Sequence, residues 1–218
     1  MYAMICTRPD IAYDVSITSR YLSNPGSEHW AIVKTILKYL RRTKDMFLVY
    51  GGATELLLEA YTDADFQYDV HDRSSNSGYV ITLNGEAVSW KIKKQDVIPN
   101  STIEVEYVTV AEAGKEAFRM KKFNTELRVV STITSPATLY CDNSGAIAQA
   151  KEPRAQEKNK HFDRHFNIIR RYDVEGKVNI LKVASADNVA NPLTKQMSQI
   201  QLNRHMEKVG IRYMGRWL

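Results

Sequence analysis

Apolar residues recur at helical spacing through the N-terminal quarter of the chain. Pro9 stands where a proline often begins a helix, and Ile11 and later apolar residues follow at steps of three and four. An Asn-Pro-Gly turn at 24–26 ends this helix, and Ser27 is predicted to cap a second one that runs to a basic turn at 41–44. We therefore expect two helices followed by a short strand at 47–50.

From Leu56 onward the apolar residues fall into short runs that are typical of strands. Runs at 56–61, 78–83 and 87–92 predict three consecutive strands. The dipeptide Asn84-Gly85 between the second and third runs is the strongest short signal of a β-hairpin. This part of the chain is therefore predicted to open with three antiparallel strands.

The remainder alternates helices with strands. A long helix is expected from Ser101 or Thr102 to about Leu127, followed by a strand at 137–141 and a short helix that begins at Ser144. A further helix contains His161 and His165, a fifth strand covers 178–183, and a last helix is expected to start near residue 188. The order βββαβαβα predicts an α/β fold with a mixed five-stranded sheet flanked by helices.

The glycine pair Gly51-Gly52 is a plausible boundary within the chain of 218 residues. It divides the sequence into a helical segment at 1–52, a main α/β domain at 53–200 and a C-terminal tail at 201–218. This length is consistent with one or two domains of ordinary size.

Amino-acid composition restricts the possible classes of protein less than the pattern of apolar residues does. The formal net charge of +5 suits a polyanionic partner, but a basic surface that serves only solubility explains it equally well. Two cysteines far apart, Cys6 and Cys141, do not suggest a disulfide framework, and we expect an intracellular protein, cytoplasmic or nuclear, without a signal peptide. Since no apolar run approaches about 20 residues, no membrane span is expected.

Three carboxylates stand where predicted strands end or a predicted helix begins. Asp63 and Asp142 each follow an apolar strand, and Glu106 lies near the start of the long helix. Each has an ordinary structural explanation when taken alone, as a turn former, a helix cap or a charge that favours a helix N-terminus. Together they are expected at one edge of the sheet, where clustered carboxylates suit magnesium.

At these residues the sequence resembles the ribonuclease H domain of copia-type long-terminal-repeat retrotransposon Pol polyproteins, preceded by the end of the reverse transcriptase region. The resemblance covers almost the whole chain. It rests on six separated motifs, among them Asp72-Arg73-Ser74-Ser75-Asn76-Ser77-Gly78-Tyr79, Val88-Ser89-Trp90-Lys91, Glu104-Val105-Glu106-Tyr107, Tyr140-Cys141-Asp142-Asn143 and Pro192-Leu193-Thr194-Lys195.

The resemblance implies a ribonuclease H fold and an endonuclease that cleaves the RNA strand of an RNA–DNA hybrid. Four acids in this family hold two divalent metals, Mg²⁺ with Mn²⁺ as a substitute, which activate water and stabilise the leaving oxygen. It assigns the first three acids to Asp63, Glu106 and Asp142, with Glu104 and Asp65 as second choices. Other segments of a Pol polyprotein are implied as partners.

Asn191 departs from the family pattern. The family has an aspartate where this chain has Asn191, in the stretch that continues Pro192-Leu193-Thr194-Lys195. An amide oxygen is a poorer ligand for magnesium than a carboxylate, so one metal should be held more weakly. We expected Asn191 in the first turn of the last helix, facing the cluster, with Asp187 as the N-cap of that helix.

Basic residues beside an aromatic ring are candidates for nucleic-acid contact. Trp90 with Lys91, Lys93 and Lys94 forms a row that can contact phosphates and a sugar, and Arg73 is a further candidate.

Three hypotheses remain open at this stage. The chain is a hybrid-specific ribonuclease impaired or not by Asn191, a catalytically inactive nucleic-acid-binding remnant, or a fragment without a substrate. A zinc site at His161 and His165 has the right helical spacing but lacks further ligands. Whether the chain is an enzyme is therefore undecided from sequence.

Overall fold

A computed structural model describes residues 1–51, 56–66, 75–95, 101–127, 133, 135–151 and 163–213, with the backbone alone at 163–167. Arg73 and His161, two of the residues named above, lie outside the described residues.

The helices are α1 (Tyr2–Cys6), α2 (Ala12–Ser19), α3 (Ser27–Arg42), α4 (Thr102–Leu127), α5 (Ser144–Lys151), α6 (Asp163–Val174) and α7 (Gln199–Lys208), with short 3₁₀ turns at Pro9–Ile11, Ser185–Asp187 and Asn191–Leu193. The strands are β1 (Met46–Leu48), β2 (Leu58–Asp65), β3 (Asn76–Leu83), β4 (Glu86–Lys94), β5 (Ala137–Cys141), β6 (Val178–Lys182) and β7 (Ile211–Tyr213).

The predicted five-stranded mixed sheet is confirmed. Its strand order is β4-β3-β2-β5-β6, with β2, β3 and β4 antiparallel and β2, β5 and β6 parallel. The β3–β4 hairpin turns at Asn84 and Gly85, whose φ angles of 56° and 91° are those that an Asn-Gly hairpin turn requires. Strand β2 is therefore central and ends beside β5.

The helix α4 packs on one face of the sheet and is covered in turn by α6. Its buried side includes Tyr107 and Val110 and contacts Leu139 of β5 within one apolar cluster. A Cβ atom added at Gly114 would lie only 2.4 Å from Cδ1 of Ile169 in α6. The missing side chain therefore lets the two helices approach closely.

The opposite face of the sheet is covered by residues from both ends of the chain. Met46, Val80, Leu193 and Ile211 belong to a second buried cluster. Strands β1 and β7 form a separate antiparallel pair, since Met46 lies opposite Tyr213. The domain limits at residues 52 and 200 stay a prediction, although both flanking segments pack against the sheet.

A buried ion pair fixes the N-terminal helices to each other. The guanidinium of Arg8 contacts Asp10 at 2.7 Å and donates to the main-chain oxygen of Thr43 at 3.2 Å. Tyr39 of α3 donates its hydroxyl proton to Asp10 at 2.8 Å. Because both charges are buried and hydrogen-bonded, the network ties the segment before α2 to the end of α3.

The start of α3 differs from the prediction by one residue. Gly26, not Ser27, is the N-cap, and its main-chain N–H donates to Nδ1 of His29 at 2.9 Å. The imidazole at the third helical position accepts from the N–H of the N-cap residue, and Ser27 is already helical.

The segment after β6 also differs, and this difference affects the site. No helix begins near residue 188; two 3₁₀ turns occupy 185–193 instead, and α7 begins at Gln199 behind its cap Ser198. The buried amide of Asn188 explains the change, because it donates to the main-chain oxygen of Thr62 at 2.8 Å and accepts from the N–H of Ala190 at 3.1 Å. These bonds fasten the segment across the end of β2.

Within the described residues, no helix combines the length and the apolar character needed to cross a membrane.

Candidate active site

Asp63 lies fully buried near the end of the central strand β2. Its neighbour across the strand pair is Gly78 of β3, where a Cβ would lie 2.9 Å from Cβ of Leu193. The absence of that carbon allows the segment carrying Thr194 and Lys195 to reach the carboxylate. Thr194 donates its hydroxyl proton to Oδ2 of Asp63, and Lys195 donates to Oδ1 at 2.8 Å.

Glu106 reaches the same edge of the sheet from α4. Its side chain is buried, with 4% of the residue exposed. One carboxylate oxygen, Oε1, accepts from the main-chain N–H of Ala64 at 3.2 Å, whereas Oε2 is buried and has no hydrogen-bond partner among the described residues. A buried carboxylate oxygen with no donor is costly to maintain, which indicates a place for a cation or a proton.

Asp142 enters the site from the end of β5. The parallel pairing of β5 with β2 sets Cys141 opposite Thr62, so that Asp142 follows at the level of Asp63. Within the described residues, one ligand atom each from Glu106, Cys141 and Asp142 lie within 4.8 Å of one another. The structure therefore brings all three predicted acids to one edge, while their role as metal ligands stays a prediction.

Burial and like charges control the ionisation of this cluster. Burial, with added repulsion from Asp63 and Asp142, raises the pKa of Glu106 to about 9. Burial also raises the pKa of Asp63, against the opposing effect of the Lys195 ammonium. Metal-free Glu106 is therefore protonated at neutral pH, and a cation that binds there must displace that proton.

The two second-choice acids take peripheral positions. Asp65 is half-buried at the end of β2, and burial raises the pKa of its carboxyl. Glu104 is half-buried in the first turn of α4, where its N–H donates to Oγ of Ser101 at 3.3 Å. Neither belongs to the group of ligand atoms that lie close together in the described part of the chain.

Asn191 is buried beside the cluster but is held by other contacts. Its Nδ2 donates to the main-chain oxygen of Ser185 at 2.5 Å, and its Oδ1 accepts from Nζ of Lys195 at 3.5 Å. The expected position in a helical first turn is wrong, since Asn191 begins a 3₁₀ turn. The amide oxygen still points to the same lysine that binds Asp63.

Asp187 does not replace the missing acid. It pairs with Arg204 at 3.0 Å and with Lys208 at 2.8 Å on α7, and 47% of its side chain is exposed. The expectation that it caps a helix at that point is wrong, because it ends a 3₁₀ turn.

The basic row on β4 is divided between the two faces of the sheet. Lys91 and Lys93 lie 3.8 Å and 3.6 Å from Glu112 of α4, whereas Trp90 packs in the cluster on the opposite face. The indole N–H of Trp90 donates to the main-chain oxygen of Met4 at 2.6 Å. Lys94, which also has partners, alternates to the face of Trp90. Their contact with nucleic acid stays a prediction.

Two neighbours of the acids have no role that a sequence pattern predicts. Lys195 contacts Asp63 across 132 positions of the chain, and no local pattern predicts such a contact. Cys141 directly precedes Asp142 at the end of a predicted strand, and alternation along that strand was the only signal that its thiol would face inward.

Three antiparallel strands followed by two parallel ones, in the order β4-β3-β2-β5-β6, form the sheet of a ribonuclease H-like fold.

The comparisons with known proteins identify the family. The chain is 40% identical over 97% of its length to the retrovirus-related Pol polyprotein from transposon TNT 1-94 of Nicotiana tabacum, and 33% identical over 94% to that from transposon RE2 of Arabidopsis thaliana. It spans only 16% and 14% of those polyproteins. Over most of its length the chain is similar to a segment of the retrovirus-related Pol polyproteins of copia-type transposons.

Among solved structures, the chain is similar to the N-terminal RNase H domain of a Mycobacterium tuberculosis protein, solved as a fusion with maltose-binding protein. The likeness covers 70% of this chain and 98% of that one, at 11% identity and a TM-score of 0.46. No family model matches the chain.

Proposed function

We propose that this domain is a hybrid-specific endonuclease that cleaves the RNA strand of an RNA–DNA duplex by metal-dependent hydrolysis. The observation that carries the proposal is the convergence of Asp63, Glu106 and Asp142 from three separate elements onto one edge of the sheet. Bringing three carboxylates together costs free energy unless a cation or protons neutralise them, so the arrangement calls for a ligand of positive charge.

The residues present suit a divalent cation. Oε2 of Glu106, which has no hydrogen-bond partner in the part of the chain that the structure describes, supplies a buried oxygen ligand, and Asp63 and Asp142 supply further carboxylates within electrostatic reach. Hard ions such as Mg²⁺ and Mn²⁺ prefer such oxygen donors. A bound divalent ion lowers the pKa of water and stabilises the charge that develops on phosphate oxygens.

Other residues of the chain prepare the site. Thr194 and Lys195 fix the orientation of the Asp63 carboxylate through one hydrogen bond to each oxygen. The main-chain N–H of Ala64 fixes Glu106 in the same way. Asn191 supplies a neutral amide at the fourth position, so we expect weaker binding of a second ion than of the first.

A hydrolysis assay on a hybrid with labelled RNA tests the proposal. The chain should release RNA fragments with Mg²⁺ or, more readily, with Mn²⁺, and it should leave an RNA duplex and single-stranded RNA intact. The Asp63→Asn and Asp142→Asn variants should lose the activity while remaining folded by circular dichroism. Equal cleavage by the wild type and both variants would refute the assignment.

A second function is favoured by the contacts of Lys195. Its ammonium already neutralises Asp63 and contacts Asn191, as expected of a site that no longer needs its full set of ions. In this alternative the domain binds hybrid without cleaving it. Salt-dependent hybrid binding, together with no fragment release in Mn²⁺, would identify this remnant.

The partners proposed for either function are an RNA–DNA hybrid and the remaining segments of a Pol polyprotein. The second follows from the small share of the related polyproteins that this chain spans.

A further inference from the structure

We propose that Glu106, Cys141 and Asp142 form a mixed oxygen and sulfur site for a thiophilic divalent ion, Cd²⁺ or Zn²⁺, which competes with Mg²⁺ at the acid cluster. The inference rests on the proposed function, because it concerns the same cluster. The thiol of Cys141 adds a soft donor to a site whose other donors suit a hard ion. We therefore expect thiophilic metal ions to inhibit Mg²⁺-dependent cleavage.

Position makes Cys141 a candidate ligand. The residue is fully buried at the end of β5, and its Sγ belongs to the group of ligand atoms that lie within 4.8 Å of one another. The main-chain N–H of Asn143 donates to this sulfur at 3.4 Å. Burial nevertheless raises the pKa of this thiol to about 12, so an ion that binds the sulfur must displace its proton.

Glu106 provides the second, independent observation. Its Oε2 is buried without a hydrogen-bond partner, although Oε1 of the same carboxylate is satisfied by Ala64. Asp142 completes the group with a half-buried carboxylate. Two carboxylates and a thiol thus meet at a point where one polar atom has no partner in the described part of the chain.

The chemistry of the donors sets the preference among ions. Thiolate ligands select borderline and soft ions such as Zn²⁺ and Cd²⁺, whereas Mg²⁺ takes oxygen ligands. When such an ion binds, the S–H bond of Cys141 and the O–H bond of protonated Glu106 break, bonds from sulfur and oxygen to the metal form, and both protons pass to the buffer, without any change of oxidation state. An ion held in this way occupies carboxylates that Mg²⁺ needs.

The chain carries its own matched control. It has two cysteines, and Cys6 is exposed in α1 and does not belong to the group of close ligand atoms found among the described residues. In the Cys6→Ser variant the only thiol is that of Cys141, so a cadmium–thiolate signal can come from this residue alone. The Cys141→Ser variant retains only the exposed thiol.

The test is titration of the chelator-treated protein with Cd²⁺, followed by ultraviolet absorbance of the cadmium–thiolate charge-transfer band. The folded Cys6→Ser protein should show the band with one ion per chain, and excess Mg²⁺ should weaken Cd²⁺ binding. The Cys141→Ser protein should bind Cd²⁺ at least tenfold more weakly. Adding Glu106→Gln to the Cys6→Ser protein should raise the Cd²⁺ concentration at which the band reaches half of its full intensity.

The outcomes separate this inference from the proposed function. Absence of the band in folded Cys6→Ser protein overturns the inference, even if the variant still cleaves hybrid with Mg²⁺. A band that saturates at one ion per chain supports it, including in a protein that does not cleave hybrid, and in that case the proposed activity alone is refuted. If excess Mg²⁺ does not reduce the intensity of the band, the two ions do not compete for the site and that part of the inference is wrong.

Discussion

The ammonium of Lys195 lies 2.8 Å from Oδ1 of Asp63, although 132 positions separate the two residues. Asp63 is fully buried, and the ammonium opposes the rise in pKa that burial causes in this carboxyl. Burial alone would lower the pKa of Lys195, but Asp63, Asp142 and Glu106 together outweigh that effect and raise it. The lysine therefore remains charged and competes with any divalent ion for Asp63.

We predict that Lys195→Met strengthens divalent-ion binding. Removing the competing charge should lower the Kd for Mn²⁺ roughly tenfold, or about 1.4 kcal/mol, as measured by calorimetry. Lys208→Met is the matched control, because Lys208 contacts Asp187 at the same distance of 2.8 Å and has a similarly exposed side chain, 37% against 40%. Equal Kd values for wild type and Lys195→Met would show that the ammonium does not compete.

Restoring the acid at position 191 should have two opposite effects. Asn191→Asp should raise Mg²⁺ affinity and hybrid cleavage, because a carboxylate replaces an amide beside the cluster. Without metal it should reduce stability by about 1–3 kcal/mol, since the bond from Nδ2 to the main-chain oxygen of Ser185 is lost. Urea unfolding with and without Mg²⁺ measures both effects.

The control for this variant is Asp63→Asn in the Asn191→Asp background, which should abolish cleavage. If Asn191→Asp changes neither metal affinity nor cleavage rate while the wild type is fully active, another acid supplies the fourth ligand.

The stability of the metal-free protein should fall as pH rises from about 5 to about 9. The ordinary pKa of 4.5 of Glu106 is raised to about 9 by burial and by the neighbouring acids. Between these two pKa values the folded state holds a proton that the unfolded state has released. The stabilising effect of this proton is therefore complete below a pH of 4.5 and is lost as the pH rises through about 9. The effect should be on the order of 1 kcal/mol or more.

Urea unfolding of wild type and Glu106→Gln across this pH range isolates the contribution, because glutamine does not titrate. Parallel stability curves would contradict the raised pKa. Mg²⁺ affinity should rise over the same interval in the wild type, since less proton remains to be displaced.

The contact between α4 and α6 depends on the glycine at 114. A methyl group there would lie 2.4 Å from Cδ1 of Ile169 and 3.3 Å from Cδ2 of Leu139. Gly114→Ala should therefore destabilise the protein by about 1–3 kcal/mol through overpacking, less the gain in helix propensity of alanine over glycine.

A double-mutant cycle tests the cause. Ile169→Val removes the carbon that the new methyl group meets, so Gly114→Ala should cost less in that background, with a coupling energy of about 0.5–3 kcal/mol. Additive effects would show that the two helices do not meet at these residues.

The strands and the three acids could be predicted from sequence for local reasons. The apolar runs and the Asn84-Gly85 turn fix β2, β3 and β4, and parallel pairing of β5 with β2 then brings Asp142 to the level of Asp63. The segment at 185–195 could not be predicted, because the side chain of Asn188 bonds to Thr62, 126 positions earlier. Such bonds override the local preference for a helix.

Lys195 lies in the same segment, so its contact with Asp63 could not be predicted from sequence for the same reason. The division of the basic row on β4 had a local signal, since side chains alternate along a strand, but the partner on each face depends on tertiary packing.

Trp90 offers a test that separates packing from nucleic-acid contact. Its indole N–H donates to the main-chain oxygen of Met4 at 2.6 Å, and its ring packs against the cluster formed by both ends of the chain. Trp90→Phe keeps most of the apolar surface but leaves that oxygen without its donor, so stability should fall by about 1–3 kcal/mol, while affinity for hybrid should be unchanged. Loss of affinity without loss of stability would instead place Trp90 at the nucleic-acid surface.

The variant to compare with Trp90→Phe is the double variant that combines Lys91→Gln and Lys93→Gln. Both lysines are about half exposed, and their distances of 3.8 Å and 3.6 Å from Glu112 are those of weak surface ion pairs, so stability should change by less than about 1 kcal/mol. If their charges contact phosphates, affinity for hybrid should fall and the dependence of log K on log salt should become shallower by about one per lysine. Binding curves over a range of salt concentrations measure this slope. An unchanged slope would mean that hybrid binds to another surface.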